Sequence, residues 1–235
     1  MLDSIVVSLA TGSMYTTMAS KVLHAFDAAE NATLVVTDDP TLFPTNTVII
    51  PYKPDGTHIW HAKRHAVQAG LERAYTVYYL DGDFVPFEGI PAPKLKRLAP
   101  GIDGFAPDSK LENLSFVSIG KLANDPERLT VLELASAHFK IDWRALPWWG
   151  DFMFYVSRDD SEAWRRFIQA WDEFAHLRSN WFVASDGVAL AFAAAVCGWA
   201  PNRHLADLKP INCAFHHVRL GEHNPWRSPA RAAVS

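Results

Sequence analysis

Two carboxylates spaced one residue apart are the strongest chemical signal in the sequence. Asp81 and Asp83 follow the apolar run 75–80 and are separated by Gly82. In extended backbone the side chains of residues i and i+2 point the same way, and a glycine lets the chain turn tightly between them. Two hard oxygen ligands can hold Mn²⁺ or Mg²⁺ and leave coordination sites for a diphosphate. An ordinary Asp-Gly turn is the alternative, but the preceding buried strand favours a metal site.

The elements that must position these carboxylates follow from alternating strand and helix patterns. Residues 5–10, 32–37, 47–50 and 75–80 are short apolar or β-branched runs, and 15–30 and 59–74 have helical spacing. Alternation of this kind predicts βαβ units, and hence an α/β fold with a mainly parallel sheet. Ligands of such sheets bind beyond the carboxyl ends of the strands, where the acidic pair falls.

The second half of the chain has a less regular pattern. Residues 86–107 hold five prolines and predict a long ordered loop, which in a compact domain is usually functional. Beyond it, strand-like pieces at 114–119 and 152–156 precede two helical patterns at 161–176 and 186–197. Trp164 and Trp171 are seven residues apart on the first of these helices, so we expect both in the core.

Composition excludes several broad classes of protein. The chain has 235 residues, 49% hydrophobic and 20% charged, which indicates a globular domain rather than a disordered chain. A net charge of -4 disfavours a nucleic-acid partner. Two cysteines cannot form a disulfide framework, and no apolar run approaches the roughly 20 residues of a transmembrane segment. The start of the chain also lacks the basic leader of a signal peptide. We therefore predict a cytoplasmic protein.

The Asp81-Gly82-Asp83 segment resembles the DxD motif of GT-A-fold glycosyltransferases. The resemblance implies a sugar-nucleotide donor and a divalent cation, Mn²⁺ or Mg²⁺. The first strand and helix, followed by residues 35–38, resemble the uridine-binding start of that fold. Relatives often place a basic residue that meets the donor phosphates on the helix before the DxD strand. The resemblance therefore implies these donor-binding residues: Thr11, Gly12, Tyr15, Asp38, and Lys63 or Arg64.

A second stretch, residues 213–226, resembles the His-x-x-Gly-x-x-Lys-Pro-Trp motif of family 8 glycosyltransferases. It implies that His217, or its neighbour His216, is the third metal ligand and that Gly221 contacts the diphosphate. The sequence departs from the motif by one extra residue before Gly221 and by Asn224 where the motif has Lys. The opening strand and the DxD context resemble family 6 instead, so the family number stays open.

Two further carboxylates are candidates for acid–base chemistry. Asp151 follows Trp148 and Trp149 in a segment that resembles the strand at the floor of the acceptor pocket, and Asp186 begins a helix. A transferase that inverts configuration needs a general base, for which Asp151 and Asp186 are the candidates. In a retaining enzyme the leaving phosphate can itself take the acceptor proton. For Asp186, stabilisation of the helix N-terminus is an equally good explanation.

We therefore expect a single GT-A-like, Rossmann-like domain over residues 1–235, with a mainly parallel central sheet flanked by helices. Residues 1–88 would bind nucleotide and metal, 89–226 the acceptor, and 227–235 would form a flexible tail. The expected reaction transfers a sugar from a nucleotide-sugar donor, with a UDP-sugar as first candidate. The acceptor would be a hydroxyl group of a glycan, a lipid-linked sugar or a small molecule. Sugar, acceptor, stereochemistry and oligomeric state stay open.

Two alternative functions remain at this point. A sugar-nucleotide nucleotidyltransferase usually carries a Gly-rich, Arg-containing phosphate loop after the first strand, and residues 11–15 offer one glycine and no arginine. A non-catalytic carbohydrate-binding protein that retains the fold is favoured by Asn224 and by Gly187, which stands where relatives have Gln.

Overall fold

The structure of the protein is a computed structural model. It describes residues 1–104, 110–111, 115–116, 120–121, 124–147, 150, 152–177, 186–200 and 205–218. The strands in this part of the chain are β1 (Leu2–Ala10), β2 (Thr33–Thr37), β3 (Val48–Pro51), β4 (Ala74–Leu80), β5 (Phe84–Pro86), β6 (Gly101–Gly104), β7 (Ser115–Phe116), β8 (Gly120–Lys121), β9 (Met153–Ser157) and β10 (Phe215–His217). The helices are α1 (Ser13–Ala28), α2 (Lys63–Leu71), α3 (Pro126–Phe139), α4 (Ala163–Leu177), α5 (Asp186–Val196) and α6 (Leu205–Ala214).

Six of these strands form the central sheet, in the order β3-β2-β1-β4-β9-β6. The first four are parallel to one another, and β9 runs antiparallel between β4 and β6. The prediction of an α/β domain with a mainly parallel sheet is therefore confirmed. Because β1, β2 and β4 are parallel, the residues that follow them meet at one edge of the sheet.

The sheet has a core on each face, as the alternation along β1 shows. Ile5 and Val7 pack into a cluster with side chains of α2, α4 and α5. Val6 and Ala10 point the other way and pack into a cluster with α1 and α6. Successive strand residues face opposite sides, so the mostly apolar run of residues 5–10 in β1 is explained by burial on both faces. Trp164 and Trp171 are 5% and 0% exposed, which confirms the prediction that they lie in the core.

Helix α5 lies within the helical pattern predicted over residues 186–197. Its residues 187–194 are buried, and it packs against α4 and α3. A helix that is apolar on all sides is expected in the interior of a layered domain. None of the helices in the described part of the chain combines the length and the hydrophobicity that a membrane crossing needs.

Several boundaries differ from the sequence-based expectation. The predicted loop 86–107 contains β6 (Gly101–Gly104), a full member of the central sheet. Glycines at both ends of β6 and the nearby prolines are typical of loops, so the local sequence does not predict a strand here. The predicted helix 59–74 begins with a 3₁₀ turn and ends at Leu71. Helices α3 and α6 were not predicted, because α3 lacks a clear apolar stripe and α6 has Pro210 within it.

Candidate metal centre

The acidic pair lies in a tight turn directly after β4. The amide of Asp81 donates a hydrogen bond to the carbonyl of Phe152 at 2.9 Å, and the amide of Phe84 donates to the carbonyl of Asp81 at 3.3 Å. Between the carboxylates, Gly82 packs so closely on β1 that an added Cβ would lie 2.9 Å from the carbonyl oxygen of Leu9. The glycine is therefore needed for close approach of two backbones, and it holds both carboxylates at the carboxyl edge of the sheet.

Pairing of β5 with β10 brings His217 to this turn. The two strands are antiparallel with His217 opposite Phe84, and the amide of Val218 donates to the carbonyl of Asp83 at 2.9 Å. His217 Nε2 lies 2.8 Å from Asp83 Oδ1. One ligand atom from each of Asp81, Asp83 and His217 lies within 4.8 Å of the other two. His216, whose ring lies 5.0 Å from that of Phe87, is not in this group.

Two aromatic rings hold the imidazole of His217. The Phe152 ring stacks on it at 5.1 Å with an interplanar angle of 23°, and the Phe84 ring lies 5.0 Å away. Both ring nitrogens of His217 are buried, and neither has hydrogen-bond geometry with a residue that the structure describes. Its Nε2 lies beside the two carboxylates, where an imidazole nitrogen can serve as a metal ligand. This donor set of two oxygens and one nitrogen fits Mn²⁺ or Mg²⁺.

Lys63 supplies a positive charge to the same centre. Its Nζ lies 2.8 Å from Asp81 Oδ1 and 3.0 Å from Oδ2, and the Tyr79 hydroxyl donates to Oδ1 at 2.9 Å. The Lys63 side chain is only 8% exposed, and an unpaired ammonium group would be costly to bury. Two carboxylates and one ammonium leave the cluster with one net negative charge when His217 is neutral, so a cation is still attracted.

Arg64 points away from the metal centre. Its guanidinium pairs with Asp55, lies 2.8 Å from Asp172, and donates to the carbonyl of His61 at 2.8 Å. A direct role in donor binding would require Arg64 to leave these partners. Partial burial raises the pKa of Asp55, but hydrogen bonds from Thr57 and His65 and the charge of Arg64 outweigh burial and hold that pKa well below 3.8. Arg64 therefore ties α2 to α4 and to the segment before it.

The predicted nucleotide-binding residues lie at the same edge of the sheet as the acidic pair. Gly12, with φ of 78°, donates its amide to both carboxylate oxygens of Asp38, at 3.1 and 3.0 Å. Thr11 precedes this glycine, directly after β1. Tyr15 lies in the first turn of α1, where its Cβ is 3.4 Å from the position a Cβ of Gly82 would take. The first strand, the second strand and the acidic turn thus meet in one place.

The predicted acceptor half is only partly described. Asp151, Gly221, Trp148 and Trp149 lie outside the described residues. Asp186 is the first residue of α5, but its side chain is outside the described part of the structure. The roles of these residues in acid–base chemistry, diphosphate contact and acceptor stacking stay predictions.

Three aromatic residues at the centre, and a fourth after β3, were not predicted as functional. Tyr79 orients Asp81, and Phe84 and Phe152 enclose His217. Tyr52 follows β3. Burial raises the pKa of its hydroxyl, and the negative charges of Asp55 and Asp38 raise it further. The high aromatic content of the sequence was the available signal for these four. It could not identify them individually. Tyr79 and Phe84 lie beside the acidic pair in the sequence, but Phe152 and His217 reach it only through strand pairing.

Outside the centre, the sequence analysis also did not single out Asp103, a carboxylate that is only 3% exposed on β6. It pairs with Tyr155 in register, and its Oδ1 accepts the amide of Gly104 at 2.9 Å. The available signal was an acidic residue between Ile102 and Gly104 in an apolar context. The expectation of a loop over 86–107 concealed it.

In comparisons with known proteins, no family model and no curated protein sequence matches the chain. Its class therefore follows from the fold and the centre alone. It is an α/β protein with a mostly parallel six-stranded sheet, helices on both faces, and an Asp-Asp-His cluster that could hold a metal ion.

Proposed function

We propose that the protein is a metal-dependent glycosyltransferase that moves a sugar from a nucleotide-sugar donor to a hydroxyl group. The observation that carries this proposal is the convergence of Asp81, Asp83 and His217 beside Lys63, at the carboxyl edge of parallel strands. Substrates of α/β sheets bind at this edge. An oxygen-rich cation site next to a buried lysine suits a ligand with a diphosphate, and a UDP-sugar is the first candidate.

The nucleotide would bind over the ends of β1, β2 and β3. Asp38 follows β2 directly, and an acidic residue at this point of a doubly wound sheet can accept hydrogen bonds from ribose hydroxyls. Tyr52 offers a partly buried ring beside Asp38 and Asp55. Thr11 and Gly12 lie where the helix α1 begins, and the Gly12 amide would hold the Asp38 carboxylate in place beside the ribose.

Residues of the centre would stabilise the negative charge that develops on the leaving diphosphate. A cation held by Asp81, Asp83 and His217 would act there as a Lewis acid. Lys63 would provide a fixed positive charge, most effective in a site that excludes water. Tyr79 would keep Asp81 oriented through its hydroxyl. Such preorganised groups favour the transition state because they need not reorient during the reaction.

The acceptor hydroxyl would enter from the half of the chain that follows β6. In an inverting reaction Asp151 or Asp186 would take its proton, and in a retaining reaction the leaving phosphate would do so. A cytoplasmic location belongs to the same proposal, since Cys197 and Cys213 are both free thiols and reducing compartments keep thiols in that state.

The deciding experiment measures UDP release from a set of UDP-sugars in the presence of Mn²⁺. We expect release by the native protein, loss on addition of a chelator, and a drop of about 100-fold or more in Asp83→Asn. Asp3→Asn is the matched control, because Asp3 is exposed at the start of β1. Equal rates in the two variants would refute the proposal.

The same assay separates the two alternatives. A nucleotidyltransferase would release pyrophosphate from a nucleoside triphosphate and a sugar phosphate, and would leave UDP-sugars intact in the absence of pyrophosphate. A carbohydrate-binding protein would be stabilised thermally by sugars without any release of UDP. Either result would replace the transferase proposal.

A further inference from the structure

A second cleft lies at the opposite edge of the sheet from the metal centre. Its volume is about 830 Å³, within the range of roughly 300–1,000 Å³ typical of small-molecule sites. Met1 lines it at the start of β1, and so does Arg158, whose amide donates to the carbonyl of Tyr75 near the start of β4. The side walls come from one face of α2 and one face of α4. The cleft is therefore separate from the proposed donor site.

Arg158 is the feature of this cleft that points to a ligand. Its guanidinium lies 5.1 Å from the Trp164 ring and 6.0 Å from the Tyr75 ring, so two aromatic side chains hold it in place. It forms no ion pair with a residue in the described part of the chain. Its Nε is buried and likewise has no hydrogen-bond partner among those residues. Its Nη2 lies 4.0 Å from the sulfur of Met1, a weak acceptor, so a guanidinium held here with no carboxylate partner in an ion pair is suited to bind an anion through its terminal N–H groups.

The other charges that line the cleft are balanced. Arg64 pairs with Asp172, Glu72 lies 3.6 Å from Arg73, and Arg165 pairs with Glu162. Among the charged side chains that line the cleft, Arg158 is therefore the one without an ion pair in the described part of the chain, and the Asp159 carboxylate interacts with it electrostatically. Trp164 and Ile168, which are 5% and 8% exposed, and the side chain of Met1 add apolar surface. Gln68 and Gln169 add neutral amides.

We propose that this cleft binds a small organic anion, a phosphate or carboxylate carried on a compact apolar body, with Arg158 as its counter-charge. The anion would accept hydrogen bonds from the Arg158 guanidinium. The apolar body would lie along Trp164, Ile168 and Met1. The inference uses no residue of the metal centre and does not depend on the transferase proposal.

Binding of an anion to Arg158 can be measured directly through the Nε–H group of its side chain. Because this group is buried, its proton exchanges slowly with solvent and gives a cross-peak in a ¹H–¹⁵N spectrum, which Arg158→Gln identifies by its loss. The probes are phenyl phosphate, benzoate and the neutral benzyl alcohol, at constant ionic strength. We expect saturable shifts of the cross-peak with one or both anions and none with benzyl alcohol. The stronger anion identifies phosphate or carboxylate as the preferred group.

Two variants control for indirect effects in a parallel thermal-shift titration. Arg97→Gln removes an exposed arginine whose guanidinium also stacks on Tyr75, at 3.5 Å, but which does not line the cleft. We expect stabilisation by the anion in Arg97→Gln and Asp83→Asn, and its loss in Arg158→Gln. An unmoved Arg158 cross-peak, or equal stabilisation of Arg158→Gln and Arg97→Gln, would overturn the proposal.

Discussion

The Nε2 atom of His217 lies 2.8 Å from Oδ1 of Asp83, although the two residues are far apart in the sequence. Antiparallel pairing places His217 opposite Phe84, the residue that follows Asp83. In this register His217 shares a face with Phe84 and His216 lies on the other face, near Phe87. Asp83 is in the turn before β5, and this turn brings its carboxylate to His217. The register of two three-residue strands therefore determines which histidine completes the centre.

The first prediction concerns that choice of histidine. His217→Gln should weaken Mn²⁺ binding by tenfold or more, about 1.4 kcal/mol, because it removes one of three ligands. Titration calorimetry measures the change. His216→Gln is the matched control, being the adjacent histidine on the other side of the strand, and should bind Mn²⁺ like the native protein. Equal affinities of the two variants would show that the histidine is not a ligand.

The second prediction concerns the ammonium group of Lys63, which shares Asp81 with any bound cation. Lys63→Met should tighten Mn²⁺ binding by about tenfold, since unit charges 4 Å apart interact by up to about 4 kcal/mol near a protein surface. Electron paramagnetic resonance of free Mn²⁺ gives the dissociation constant. Lys94→Met, at a lysine that is 60% exposed, should leave it unchanged. Weaker Mn²⁺ binding in Lys63→Met would mean that Lys63 holds Asp81 in position for the metal.

The third prediction concerns the close approach of Gly82 to β1. In Gly82→Ala the new Cβ would meet the carbonyl oxygen of Leu9 at 2.9 Å, so one backbone must shift. We expect a loss of about 1–3 kcal/mol in the free energy of unfolding, with weaker Mn²⁺ binding. Urea denaturation and calorimetry test the two effects. Gly89→Asn is the control, because Gly89 has open space and a positive φ that Asn tolerates. A fully stable Gly82→Ala that binds Mn²⁺ normally would contradict the packing argument.

The fourth prediction concerns acid stability through Asp55. Its pKa is held below 3.8 in the folded protein, so the unfolded chain takes up a proton there at higher pH than the folded chain does. The resulting stabilisation is fully present above about pH 4 and is lost as the pH falls through the folded pKa. Asp55→Asn should lower the free energy of unfolding by about 3 kcal/mol at neutral pH, because buried Arg64 loses a partner.

Urea denaturation between neutral pH and pH 3 measures this contribution. The gap between native protein and Asp55→Asn should narrow as the pH falls below about 4, while Asp3→Asn should follow the native curve throughout. A gap that is constant with pH would mean that Asp55 acts through packing and not through its charge.

Much of the fold was predictable from the sequence because the parallel strands are buried on both faces. Such strands appear as continuous apolar runs, and β1, β2 and β4 were all predicted within a few residues of their observed bounds. Strand β6 was not, because its burial depends on pairing with β9 and not on its own glycine-rich sequence. Helix α6 was missed for a related reason, since packing of Leu208 and Ile211 overrides the local effect of Pro210.

The candidate site was predictable where residues lie close in the chain. The spacing of Asp81 and Asp83 was sufficient to predict a shared direction, but it left His216 and His217 equivalent. Only the β5–β10 register distinguishes them. Lys63 and Arg64 were likewise interchangeable in the sequence, whereas in the fold one pairs with Asp81 and the other with Asp172. Adjacent helical residues point in directions about 100° apart, so tertiary packing decides their roles.

The β5–β10 pairing also bears on the order of events during folding. We expect Asp81 and Asp83 to take their places when β4 pairs with β1, and His217 to join later, when β10 pairs with β5. Contacts between residues distant in sequence carry a large loop-closure cost and tend to form late. A cation bound by all three residues should therefore slow unfolding more than it accelerates folding. In stopped-flow experiments, added Mn²⁺ should mainly lower the unfolding rate and leave the folding rate nearly unchanged. The metal would then stabilise the folded state without taking part in the rate-limiting step of folding.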